Sequence, residues 1–208
     1  MLSPTCSQGR TNIVSCFGLV FAFCFAFPAF AQQTPRLITS SEFEAARAKL
    51  SPTLVPLLRS PLQPDPRQSF LIPGTGGRSL RMIPVRYDAY TPAADNTTFR
   101  CGLFLFPAGR APIFVPTMGY GSTEMEFCAS LNAVGFTPAP GHTFPRLLLL
   151  YSGGTAHDQT VEPIILDFSD AKGTYIANDD LSERIANIPG KPTIAWMKST
   201  IARMDAHR

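Results

Sequence analysis

The side chains best suited to covalent chemistry fall within one short segment, YSGGTAHD at residues 151–158. A Ser152 hydroxyl activated by His157, with a carboxylate orienting the imidazole, would make a nucleophile–base pair for ester, amide or glycosidic bonds. Asp158 adjoins His157, and adjacent side chains usually diverge, so another carboxylate such as Asp167 would have to supply the orienting bond. The chain has no G-x-S-x-G elbow, the strained turn that presents a serine nucleophile in α/β-hydrolases. Gly153-Gly154 also suit a plain bend in a long hairpin loop between strands near 147 and 163. Ser152, His157, Asp158 and Asp167 therefore define the alternative reading, a small envelope or extracellular hydrolase. The leading reading is non-catalytic.

Other chemistries are less well served. Of three histidines, His142 and His207 stand apart from His157, and zinc catalysis needs about three well-spaced ligands. Residues 167–173 (DFSDAKG) carry a lysine where a calcium ligand is wanted, so they read as a hairpin turn. No metal or cofactor is predicted. Glu124 and Glu126 would diverge on a helix and suit the positive end of its dipole better than a glycosidase pair. Tyr87, Tyr90, Tyr120 and Trp196 could stack on a glycan or fill a partner's pocket. Trp196 adjoins an apolar stripe, which favours core packing for it.

The elements that must position these groups follow an unusual leader. Arg10 is the one charge before residue 32, and it precedes the apolar run Ile13 to Phe27, which closes on Ala29-Phe30-Ala31. A positive start, an apolar core and an Ala-x-Ala exit predict a secretory signal peptide at 1–31, cleaved between Ala31 and Gln32. Such a product is periplasmic or secreted and keeps no membrane span. Only Cys101 and Cys128 of five cysteines lie beyond the leader. In an oxidising compartment they predict one disulfide bond. The net charge of +3 comes without the concentrated basic face that phosphate backbones require, which excludes nucleic acid as a partner. Twenty prolines in 208 residues predict short elements and many bends.

Along residues 32–68 the pattern predicts a helix and a proline-rich connector: Ser41-Glu42-Phe43-Glu44 reads as a capping box, and PLQPDPRQ as an extended linker. Residues 69–208 then form a single globular α+β domain. Strands are predicted at 70–72, 80–87, 99–106, 113–115, 147–151, 162–168 and 174–176. Pro84 marks the second as an edge strand, while large residues on both faces put 99–106 in mid-sheet. Thr123 and Glu126 form another capping box, and Phe127, Cys128, Leu131 and Val134 recur at helical spacing up to Gly135. A helix over 123–134 follows, which the disulfide would pin to the central strand. Two C-terminal helices are predicted, opened by Asp180 and Thr193, the second with an Ile194, Met197, Ile201, Met204 stripe. The expected architecture is a mainly antiparallel sheet of about five or six short strands with flanking helices, an α/β sandwich with some parallel pairing being the alternative.

Export, one disulfide, few polar clusters and loops rich in glycine, proline and aromatics point to a binding protein. It would be an inhibitor, immunity-type or accessory factor of the cell envelope, engaging a protein or envelope macromolecule. Loops held on a rigid sheet carry function, so residues 117–123 with 152–158 are the expected surface, through Tyr120, Ser122, Ser152 and His157.

Overall fold

A computed structural model describes residues 34–91, 96–124, 126–155, 158–190 and 192–206. The predicted leader, His157 and His207 lie outside the described residues. The chain opens with strand β1 (Arg36–Leu37), helix α1 (Ser40–Arg47) and the short strands β2 (Gln63–Pro64) and β3 (Phe70–Pro73). Two long strands follow, β4 (Ser79–Thr91) and β5 (Asn96–Pro107), then β6 (Ile113–Pro116), β7 (Phe127–Thr137), β8 (Arg146–Gly154), β9 (Gln159–Ser169) and β10 (Thr174–Ala177). Helices α2 (Asp179–Ala186) and α3 (Ile194–Ala206) end the fold.

The result is a sheet-rich α+β fold, but with two sheets in place of one. The first has the order β1-β3-β4-β5-β6, with β2 also on β4; the second runs β10-β9-β8-β7. Every strand pair among the described residues is antiparallel, which removes the parallel alternative. Alternation along the strands builds three apolar layers. Met82, Leu103 and Leu105 meet Leu147, Leu149 and Tyr151 between the sheets. Ile83, Val85, Phe104 and Phe106 pack under Phe43 and Ala46 of α1. Leu148, Leu150 and Ile165 pack under Leu181 and Ile185 of α2 and Met197 and Ile201 of α3. Helices thus cover both outer faces, and β5 buries both of its own, as its sequence implies.

The predicted 123–134 helix is absent; residues 127–137 form β7. Two β-bulges interrupt the β7–β8 register, between Cys128 and Ser130 and between Leu131 and Ala133. Each adds one residue to the outer strand. The residues facing the inter-sheet core therefore fall at 128, 131, 134 and 136, opposite Gly153, Tyr151, Leu149 and Leu147. Two bulges turn a period of two into spacings of three, which reads as a helix in the sequence. Gly135 is consequently no helix cap. It is a strand residue against which Ile194 of α3 packs so closely that a Cβ would lie 2.3 Å from Ile194 Cγ2. The nearest turn of helix among the described residues is a 3-10 turn, Gly121–Thr123, so Glu124 and Glu126 flank no α-helix dipole.

Pro84 does not mark an edge. Strand β4 lies inside its sheet, with Pro84 opposite Leu103 of β5. On its other side the partner changes, from β3 ending at Phe70↔Met82 to β2 beginning at Pro64↔Val85. The proline occupies the gap, where no amide hydrogen is needed, and its carbonyl still accepts from Asp65 N at 2.9 Å. The PLQPDPRQ connector is thus partly strand.

The caps of α1 and α2 fall slightly upstream of their predicted places. Thr39 caps α1, accepting from Glu42 N, while Glu42 Oε2 accepts from Thr39 N at 2.7 Å. Both Thr39-x-x-Glu42 and Ser41-x-x-Glu44 fit the motif; the fork from Arg36 to both Glu42 oxygens (2.7 and 2.9 Å) favours the former. Asn178, not Asp180, caps α2 by accepting from Leu181 N at 3.0 Å. Thr193 caps α3 as expected, its hydroxyl accepting from Trp196 N at 3.2 Å.

Cys101 and Cys128 form the disulfide, with Cα atoms 5.8 Å apart. Because 127–137 is strand, the bridge ties the two sheets together instead of fastening a helix to one sheet. As the edge of the second sheet, β7 has carbonyls that need partners. Arg86 Nε donates to Cys128 O at 3.1 Å and Gln68 Nε2 to Asn132 O at 3.2 Å.

Candidate functional site

The loop after β6, residues 117–123, is fastened to both sheets. Thr117 N donates to Cys101 O and Cys101 N to Met118 O, so the chain keeps pairing with β5 past the end of β6. The Thr117 hydroxyl is 2.8 Å from the Tyr151 hydroxyl of β8. Burial holds the Tyr151 phenol well above its ordinary pKa, so this pair stays neutral and hydrogen-bonded. Met118 is fully buried between the sheets, and a Cβ on Gly153 would meet its Cε at 2.4 Å. Gly119 and Gly121 adopt positive φ, +88° and +56°, a region open to glycine without strain. They fold the backbone so that Gly119 N donates to Thr123 Oγ1, which donates in turn to Tyr120 O.

Tyr120 is half-buried, its hydroxyl hydrogen-bonded to that of fully buried Tyr87. Desolvation raises the Tyr120 phenol. Across its ring, 4.7 Å from the centroid, lies Cζ of Arg100. Arg100 is 6% exposed, and its stem is pressed under Gly119, where a Cβ would stand 2.8 Å from Arg100 Cγ. Its Nε is buried without an acceptor. Among the described residues no carboxylate pairs with it, whereas Arg36, Arg47, Arg67 and Arg146 each pair with one. A cation over a tyrosine face returns about 0.5–2 kcal/mol, less than the several kcal/mol lost on burying a charge.

The groups proposed for hydrolysis are dispersed. Ser152 points from the opposite face of β8 to Tyr151, away from loop 117–123, and its Oγ accepts from Asn132 Nδ2 at 2.6 Å. Gly153 is the residue that meets the loop. Strand β8 continues through Gly154, so the glycine pair belongs to the strand and is not its bend; beyond it Thr155 N donates to Asp158 O at 3.0 Å. Asp167 is occupied at both oxygens, by Arg146 Nε at 2.6 Å and Asn178 Nδ2 at 2.6 Å. His142 Nδ1 donates to Phe168 O at 2.7 Å. His157 lies outside the described residues, as does the side chain of Ser122, whose backbone belongs to the 3-10 turn.

No family model, curated protein or solved structure matches this chain.

Asp167 sits in a structural network. Its partner Arg146 also reaches Asp205 Oδ2 of α3 at 3.5 Å, and Asn178 caps α2, so one carboxylate links β8, β9 and both C-terminal helices. Side chains of the Arg146–Asp167 pair are only 12% and 18% exposed. Asp167→Asn is expected to cost about 2–3 kcal/mol in urea denaturation, because it leaves a largely buried guanidinium short of its nearest counter-charge. A variant as stable as the parent would refute this network.

Glu126 carries a further unmet group. Its Oε2 is buried without a partner, and burial, then the charge of Glu162, raises its pKa. The folded state therefore holds this proton more tightly than the unfolded chain does. Stability contributed by Glu126 falls as pH rises from the ordinary carboxylate value through the raised one, and is regained on acidification. Glu126→Gln is expected to flatten that part of a stability–pH curve; an unchanged slope would contradict it.

Sequence reasoning missed Arg100 and its contact with Tyr120. One signal was present: a lone charge inside FRCGLFLF, on the same strand face as Phe104 and Phe106. Trp196 packs partly against the α2–α3 core, while Tyr90 is exposed.

Proposed function

We propose that this chain is an exported, non-catalytic protein, periplasmic or secreted, that binds a protein or envelope macromolecule through loop 117–123. It would serve as an inhibitor, immunity-type or accessory factor of the cell envelope. One observation carries the reading: the loop is locked from beneath, by Met118, the Thr117–Tyr151 hydroxyl pair and the Tyr87–Tyr120 pair. A preorganised loop loses little entropy on binding. The buried disulfide is compatible with an extracytoplasmic protein, and no helix among the described residues is long and apolar enough to cross a membrane. The groups a hydrolase would need are engaged elsewhere, Ser152 by Asn132 and Asp167 by Arg146 and Asn178.

The test is capture from envelope extract and culture medium by the mature protein, beside a Glu124→Lys variant. Glu124 is exposed at the loop's edge, so its reversal changes the surface and spares the core. A partner retained stoichiometrically by the parent and lost with the variant, at equal melting temperature, supports the proposal. No retention, or identical retention by both, overturns it. N-terminal sequencing of the exported product is expected to begin at Gln32.

A further inference from the structure

We infer that Arg100, with the Tyr87–Tyr120 hydroxyl pair beside it, is a carboxylate-recognition site, which rests on the binding role of loop 117–123 and names the chemistry its partner presents. Three observations converge. The guanidinium is held in a side chain that is 6% exposed, with no hydrogen bond or ion pair among the described residues. Its position is fixed on two sides, by the Tyr120 ring on its face and by Gly119 over its stem. Only Nε is sealed from solvent without an acceptor; the two Nη atoms are not sealed with it, so the outer end of the fork is the open one.

A buried charge left without a counter-ion is costly, and the interaction that best satisfies a guanidinium fork is a planar, bidentate oxyanion. Tyr120 supplies the stacking face that holds the fork in one plane. The choice between oxyanions follows from charge. Arg100 is the cation that stacks on Tyr120 here, and it brings a single positive charge to the ligand. That balances a monoanionic carboxylate and falls short of a phosphate dianion. Such a carboxylate is supplied by a chain terminus or by an acidic side chain of a partner.

The test needs no partner. The mature protein is titrated with acetate, with inorganic phosphate, and with chloride at matched ionic strength, following the Arg100 Nε–Hε resonance and the melting temperature. Acetate is expected to shift the resonance saturably and raise the melting temperature, with phosphate weaker and chloride inert. Arg100→Met is expected to lower acetate affinity by about tenfold or more while melting no lower than the parent in anion-free buffer, since an unpaired buried charge has become an apolar side chain of similar size. A structural arginine predicts the reverse: no acetate response, and a lower melting temperature for the methionine variant. Equal responses to acetate and chloride, or tighter binding of phosphate, would overturn the carboxylate assignment. A peptide with a free C-terminus, run beside its amide bearing an internal aspartate, separates the two sources. Acetate binding with no partner captured leaves this site standing and removes the macromolecular role; capture without acetate binding does the opposite.

Discussion

Loss of the Cys101–Cys128 bridge is expected to destabilise the protein by about 3.5 kcal/mol, the chain-entropy value for a loop of this length. For a domain of this size that lowers the melting temperature by about 10 °C. The bridge joins β5 to β7, an interior strand of one sheet and the edge strand of the other. Without it the sheets are held to each other by the apolar layer between them and by side-chain contacts such as Arg86 to Cys128 O. The sulfurs are hard to reach, since Cys101 is 3% and Cys128 0% exposed. Reductant should therefore act on the native protein no faster than the protein opens. Guanidinium denaturation of the parent and of a Cys101→Ala, Cys128→Ala variant measures the first effect. Thiol release against time in dithiothreitol, with and without denaturant, measures the second. Rapid release under native conditions would mean that β7 detaches alone, which the two side-chain caps on its edge argue against.

What the sequence disclosed and what it hid divide along a physical line. Features fixed by local chemistry were legible: the pairing of Cys101 with Cys128, the two-faced burial of β5, the turn at 170–173 and the apolar stripe of α3. The β7 segment was hidden because its inward positions depend on where the partner strand lets it bulge, and that register belongs to β8 as much as to β7. Spacing of Cys128, Leu131 and Val134 is helical in the sequence and sheet-like only once Gly153, Tyr151 and Leu149 stand opposite. Pro84 misled for a related reason. A proline excludes a strand interior only if a neighbour wants its amide, and here β3 ends and β2 begins on either side of it. At the candidate site, loop 117–123 was legible from its glycines and its tyrosine. Arg100 was not, because a strand arginine reads as an exposed charge until the loop that covers it is in place.

Two glycines make that dependence on neighbours measurable. At Gly153 a Cβ would stand 2.3 Å from Phe127 O and 2.4 Å from Met118 Cε. At Gly135 the nearest atom is Ile194 Cγ2, also at 2.3 Å. The distances match but the neighbours differ, since one obstacle is strand backbone and the other is a side chain at the start of α3. Gly153→Ala is expected to cost about 3 kcal/mol, the upper part of the overpacking range, and Gly135→Ala about 1 kcal/mol. Double-mutant cycles should separate them. Ile194→Ala removes the obstacle to a methyl group at position 135, so that pair should show a coupling of about 1 kcal/mol in favour of the double variant. Met118→Ala removes only one of the two obstacles at 153 and should recover little. Gly153 is also where the second sheet meets loop 117–123, so Gly153→Ala should weaken partner capture beyond its effect on the folded fraction, while Gly135→Ala should leave capture unchanged. If both substitutions reduce capture only in proportion to lost stability, Gly153 does not position the loop, and the rigid support inferred for Tyr120 must come from β5 and β6 alone.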